Sequence, residues 1–307
     1  MNHTVHPLHP VVLDIDRSVG RLPHEQRIDM AGWQESLRFG CRLPRLRSFA
    51  QALDACLPPT HTHGTVFFGS GDFHHLSWPL IARAIRQGSY RADRQLRIVV
   101  LDNHPDNMRF PFGVHCGSWV RRVALMPEVS HVIVAGITSA DIGGGHAWEN
   151  YLRPLAAGKL SYWSCGVDTG WGRRLGLGRA FRNFDDLASL SATLCETLAA
   201  DPRPTYLSID KDALSPEVVR TNWDQGRMTE AQALAIVASL QGRIVGSDVT
   251  GEVSSYRYTT AWKRWLSAGD GQDTEIDAIT LRQWQHGQAG FNQRLLAAIR
   301  RASAIPG

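Results

Sequence analysis

The feature that most constrains this chain is a repeated succession. A short β-branched apolar run ends in a polar, glycine-containing segment, and a helix-compatible stretch follows. TVFFGSGD at 65–72 reads as a buried strand leading into the helix LSWPLIARAIRQG. LRIVVLDNHPD at 96–106 is a second strand with its loop, and HVIVAGITSADIGGG at 131–145 a third. FDDLASLSATLCETLAAD has leucines at helical spacing and precedes PTYLSIDKDALSP at 204–216, the fourth strand. After the helix TEAQALAIVASLQG comes RIVGSDVTGEVS at 243–254, the fifth, and FNQRLLAAIRRA closes the chain as a helix. Apolar runs without alternation mark strands covered on both faces. Strands alternating with helices then predict a three-layer α/β/α fold around a mostly parallel sheet. No internal repeat or long linker interrupts the pattern, so we expect a single domain over 1–307 with a flexible N-terminal tail at 1–12. GGGH at 143–146 and SAGDGQDTE at 267–275 are expected to be exposed loops.

Several function classes recede on composition. Charged residues at 20% and hydrophobic ones at 43% describe an ordinary globular chain. The net charge of +4 is spread over scattered arginines, with short pairs such as Arg121-Arg122 and Arg173-Arg174, which argues against a nucleic-acid surface. No apolar run reaches the length of a membrane span, and MNHTVHPLHPVV lacks the pattern of a signal peptide. Five cysteines without a CxxC pair read as reduced thiols in a cytoplasmic protein. The expected partner is a small molecule.

In open α/β sheets ligands bind beyond the carboxyl ends of the strands, and the suspicious polar residues fall there. Asp72, His74 and His75 follow VFFGSG, and Asp102, His104 and Asp106 follow RIVVL. Asp141 follows VIVAGITSA, Asp210 and Asp212 follow TYLSI, and Asp248 and Glu252 follow RIVGS. Residues two apart on an extended segment point the same way, so Asp102 and His104 can face one ion, as can Asp210 and Asp212. Four carboxylates (Asp102, Asp106, Asp210, Asp212) balance two divalent cations; without metal they would raise one another's pKa values. One or two imidazoles among several carboxylates favour Mn2+ over Zn2+, with Ni2+ or Fe2+ as the next choices. Each motif alone also fits a turn, a cap or a salt-bridged loop. Their convergence carries the metal reading.

Taken in order, these residues resemble the arginase, agmatinase and formiminoglutamase family, the ureohydrolases. GSGDFHH is similar to that family's Gly-Gly-Asp-His motif, LDNHPDN to Asp-Ala-His-x-Asp, and LSIDKDALSP to Ser-x-Asp-x-Asp-x-x-Asp-Pro. The resemblance implies an arginase-like fold with two divalent ions. It places His74, Asp102, Asp106 and Asp210 on one ion, and Asp102, His104, Asp210 and Asp212 on the other. FGVHCG at 112–117 resembles the family's proton-shuttle segment, which makes His115 the candidate. Glu252 corresponds to a carboxylate that receives the substrate's guanidinium, and Asp141 to an acid that contacts its distal part. The implied activity is hydrolysis of a C–N bond in a linear guanidino or amidine-type substrate, with the ions lowering the pKa of the attacking water. Asp106 would hydrogen-bond that water, and His115 would protonate the leaving amine with a pKa near neutrality. The family also implies trimers or hexamers as homo-oligomers.

The chain departs from the pattern in several places. Phe73 separates Asp72 from His74, which keeps His75 open as the alternate ligand. SDVTGE has one residue more than the family pattern between its Asp and Glu, and Ser215 stands where an Asp precedes Pro216. EVVRTNWDQGRMT replaces a Gly-Thr-Gly-Thr-Pro type loop, and the segment between Asp106 and His115 is short. The substrate is therefore not expected to be arginine. Two rival readings remain: a deacetylase-like amidohydrolase of the same broad fold, prompted by His74-His75, and a non-catalytic metal-binding homologue, prompted by the rewritten loops. Trp119, Trp148, Trp171 and Trp223 are candidates for aromatic pocket walls or for core packing.

Overall fold

The computed structural model describes residues 8–269 and 276–304, with the side chains of 266–269 left aside. Among the described residues eleven strands occur in chain order. They are β1 (Val11–Asp14), β2 (Gln26–Asp29), β3 (Gly40–Cys41), β4 (Val66–Phe67), β5 (Leu96–Leu101), β6 (Val114–His115), β7 (Val129–Ile137), β8 (Leu160–Cys165), β9 (Phe181–Phe184), β10 (Thr205–Asp210) and β11 (Ile244–Thr250). Nine form one sheet in the order β2-β1-β4-β11-β10-β5-β7-β8-β9, every neighbouring pair parallel. β3 and β6 form a small antiparallel pair. The five strands expected from sequence are β4, β11, β10, β5 and β7, the contiguous middle of the sheet.

Alternate residues of each strand feed two apolar layers. Ile98, Val100, Val132 and Val134 enter one, with Phe49 and Leu53 of the helix Leu43–Cys56 and Leu80 and Ile81 of Ser77–Gln87. Val99, Leu101, Leu207 and Ile209 enter the other, with Leu190 and Leu194 of Leu187–Ala200, Ile236 of Glu230–Ala238 and Phe291 and Leu295 of Ala278–Ser303. The result is a three-layer α/β/α fold. Each fully buried aliphatic side chain contributes about 1.5–3 kcal/mol, so the central strands are held mainly by these two layers. Helix starts follow the sequence: Asp186 accepts from the Ser189 amide at 2.7 Å, and Thr229 with Gln232 forms a capping box.

Two loop expectations change. GGGH lies at the start of a 3-10 turn, Gly144–Glu149. Of SAGDGQDTE, 267–269 end the helix Ala261–Gly269, and 270–275 lie outside the described residues. Residues 1–7 of the expected tail also lie outside them, whereas Val11 and Val12 are buried in β1. All five cysteines are free. Among the described residues no helix is long and apolar enough to cross a membrane.

Candidate metal centre

Three strands deliver the acidic and imidazole side chains to one end of the sheet. After β4 the chain makes a 3-10 turn, Gly71–Leu76, capped by the Ser70 hydroxyl accepting from the Asp72 amide. The turn aims His74 inward. Its Nδ1 lies 2.8 Å from Asp106 Oδ2, 3.0 Å from Asp102 Oδ2 and 3.5 Å from Asp210 Oδ2. Behind it, Nε2 meets Ser208 Oγ at 3.1 Å, and Ser208 donates to Asp248 Oδ1 at 2.7 Å. Asp248 sits inside β11, where Tyr206 and Ser77 also donate to it. It anchors the back of His74 and is absent from the pocket wall.

β5 ends at Leu101, and the next turn is tied by the His104 amide donating to Asp102 Oδ1 at 2.6 Å. His104 Nδ1 lies 2.9 Å from Asp212 Oδ2 and 3.5 Å from Asp102 Oδ1. β10 ends in Asp210, whose Oδ1 accepts from the Asp212 amide at 3.1 Å. Gly251, at φ +86°, lets the chain after β11 pass here; a Cβ would run into Asp210 Oδ1 and the Lys211 amide.

Two ligand triads result, His74/Asp102/Asp210 and Asp102/His104/Asp212, each with its ligand atoms within 4.8 Å of one another. Asp102 belongs to both. Its Oδ2 is buried and lies 3.0 Å from His74 Nδ1, with no partner outside the cluster among the described residues. An oxygen-rich set with one imidazole per triad fits two divalent cations of the Mn2+ type. Asp106 stands beside the first triad, with Oδ2 fixed by Trp119 Nε1–H at 2.6 Å.

The protons on this cluster follow from burial and mutual charge. Burial and the charge of Asp102 push Asp106 and Asp212 up to about 7, and burial with Asp212 raises Asp210 well above the carboxylate range. Burial would also raise Asp102, but hydrogen bonds from His104 and His74 outweigh it and hold that carboxyl low. Burial disfavours charge on both imidazoles, yet the surrounding carboxylates raise His74 and His104 well above their usual value. A metal must displace these protons, so its apparent affinity rises with pH. Between pH 6 and 8 we expect the affinity for Mn2+ to increase about tenfold per unit for each proton released. Calorimetry in two buffers of different ionisation enthalpy measures the proton count, and a pH-independent affinity would contradict the assignment.

The cluster floors a pocket of about 380 Å³. Phe39, Phe110 and Trp223 supply aromatic walls, and His115, Asp141 and Asp224 line it as well. His115 is packed edge-to-face on Phe110 at 4.5 Å, and its Nδ1 accepts from the Gly117 amide at 3.0 Å. Burial pushes its pKa down to about 4, below the near-neutral value expected from sequence. Burial raises the Asp141 carboxyl. Glu252 does not reach the pocket: it is buried against Lys211 Nζ at 2.5 Å and accepts from Asn292 Nδ2 at 2.6 Å. The extra residue in SDVTGE coincides with this retreat. His75 is likewise away from the cluster, fully buried with neither ring nitrogen hydrogen-bonded, so the two histidines do not form an acid–base pair. Sequence reasoning missed Asp224, which sits 2.7 Å from His104 Nε2; its signal was the rewritten loop itself. A second cavity of about 370 Å³ lies at the amino ends of β4, β10 and β11, and no carboxylate lines it.

No family model matches the chain. An uncharacterized protein of Thermotoga maritima is 26% identical over 206 residues, which span 67% of this chain and 63% of that relative. Among solved structures, the proclavaminate amidino hydrolase of Streptomyces clavuligerus superposes with a TM-score of 0.52 at 15% identity, covering 96% of this chain and 93% of the other. The agmatine ureohydrolase of Thermoplasma volcanium gives 0.54 at 11% identity, covering 97% and 90%. Arginase from Bacillus subtilis gives 0.54 at 13% identity, covering 96% and 98%. The parallel nine-stranded sheet, its flanking helices and these superpositions together establish that the chain has the arginase-like α/β fold.

Proposed function

We propose that the protein is a binuclear-metal-dependent hydrolase of the ureohydrolase type, cleaving a C–N bond in a guanidino or amidine-type substrate other than arginine. The observation that carries this is the sharing of Asp102 by two buried triads. His74, Asp102 and Asp210, with Asp106 beside them, would hold one ion; Asp102, His104 and Asp212, with Asp210, would hold the other. Mn2+ suits the donors best and Ni2+ next. When bound, the ions lower the pKa of the attacking water and polarise the substrate.

The chain's own residues do the rest. Trp119 fixes Asp106 against the cluster. Phe39, Phe110 and Trp223 give the pocket an aromatic lining suited to a planar cation. Asp141 and Asp224 give the wall negative charge, and Asp141 is the candidate for the distal part of the substrate. His115, neutral at pH 7 with Nδ1 occupied, carries its proton on Nε2 and offers it as a hydrogen-bond donor to the leaving nitrogen. The guanidinium-receiving role implied for Glu252 finds no support, because Lys211 and Asn292 close that carboxylate. A single domain, a cytoplasmic setting for the free thiols and a homo-oligomeric state belong to the same reading.

The test is metal content after chelator-free purification, followed by a panel of guanidines, amidines and acylated amines with urea, ammonia and amine detection. About two ions per chain and turnover of a guanidine or amidine is the expected result. Two ions with no turnover would favour the non-catalytic homologue, release of amine from an acylated substrate the deacetylase-like reading, and no ion even with Mn2+ or Ni2+ supplied would end the proposal.

A further inference from the structure

We propose that Asp224, supplied by the segment that follows β10, is a positioning residue for the ligand His104. By accepting the Nε2 proton it leaves Nδ1 as a lone pair facing Asp102 and Asp212. The inference rests on the binuclear reading above and concerns only the second triad.

Both carboxylate oxygens of Asp224 are engaged, although its side chain is exposed. Asp224 Oδ1 lies 2.7 Å from His104 Nε2. Its Oδ2 and its backbone carbonyl both accept from Asn103 Nδ2 at 3.1 Å. Asn103 cannot flip, because its Oδ1 accepts from the Thr138 amide at 3.0 Å and hydroxyl at 2.7 Å. The segment is pinned beneath as well: the Gly226 amide donates to the Asp212 carbonyl at 2.6 Å. A Cβ on Gly226 would lie 2.5 Å from the Ala213 carbonyl oxygen, so only glycine allows this approach. Trp223 meets the His104 ring edge-on at 5.8 Å. The replacement loop is thus built onto the ligand through two successive residues, Trp223 and Asp224.

The two triads are unequal in this respect. The far nitrogen of His104 faces a carboxylate, whereas that of His74 faces the Ser208 hydroxyl. A carboxylate on the outer nitrogen fixes the tautomer and ring orientation and makes the inner nitrogen a better donor. Its loss should weaken one ion and spare the other.

The experiment is a stepwise Mn2+ titration by calorimetry of the full chain, comparing the parent with Asp224→Ala, Asp224→Asn and Asp141→Asn. In Asp224→Ala we expect one of the two binding steps to weaken about 10- to 100-fold, with the other unchanged. Asp224→Asn keeps an acceptor oxygen and should fall between this and the parent. Asp141→Asn removes a pocket carboxylate without a hydrogen bond to His104 and should leave the two steps unequal to no greater degree than in the parent. Parental affinities in Asp224→Ala, equal weakening of both steps, or selective weakening in Asp141→Asn would each overturn the proposal. A parent that binds fewer than two ions would overturn it together with the reading on which it rests.

Discussion

Replacing Asp102 by Ala is expected to empty both metal positions at once, whereas Asp212→Ala should retain the ion on the His74 side. The asymmetry follows from membership: Asp102 stands in both triads and Asp212 in one. Elemental analysis should therefore fall from about two ions per chain to none in the first variant and to about one in the second. Hydrolytic activity found in the substrate panel should drop by about a thousandfold or more in Asp102→Ala, since losing the ions removes several kcal/mol of transition-state stabilisation. Thermal unfolding gives an independent readout. An ion at a hundred times its Kd stabilises the parent by about 2.7 kcal/mol per site, and the upward shift on adding Mn2+ should vanish in Asp102→Ala. Two ions retained in that variant would mean that the shared ligand has been misidentified.

The largest effect on stability should come from Lys211→Met. Lys211 and Glu252 are both buried, with Nζ and Oε1 2.5 Å apart, and Asn292 touches both partners. Removing the ammonium leaves a carboxylate that has no access to water. Breaking one side of such a pair costs about 3–5 kcal/mol. Lys211→Met with Glu252→Gln should recover most of this, because no uncompensated charge remains. Denaturant titrations of the parent, the single and the double variant measure both claims, and a loss that the double variant does not recover would point to packing rather than charge.

The middle of the sheet was legible in the sequence because β5 and β7 hold the buried apolar runs IVVL and VIVA, while β10, which also contains a serine, was marked by the aspartates at its end. The flanks were not. β2 and β9 are half-exposed edge strands with polar residues, QRID and FRNF, and β1 is only four residues long. β8 is wholly buried, but its serines at 161 and 164 interrupt the apolar run, and one of them is held by the neighbouring Asn183. At the site, strand-end position pointed to the residues that converge, but turns rather than alternation bring them together: the His104 amide folds back on Asp102, and Asp212 lies in the 3-10 turn Lys211–Ala213. It failed for Glu252, because the partner that captures it, Lys211, lies between two candidate ligands and fitted a local salt-bridged loop equally well. It failed for Asp224, because a loop without regular structure carries no periodicity from which its direction could be inferred.

The order of strands also fixes when the centre can come into being. β4, which leads to His74, is not adjacent to β5 or β10; β11 lies between, with Val66 paired to Asp248 and Phe67 to Val249. One of the earliest strands thus depends on the last one made. Such a long sequence separation makes closure of the sheet a slow, late event. A chain that extends only as far as Asp212 already carries every candidate ligand, yet lacks the strand that seats β4 beside β10. On the proposed function, capture of both ions would then follow completion of the sheet.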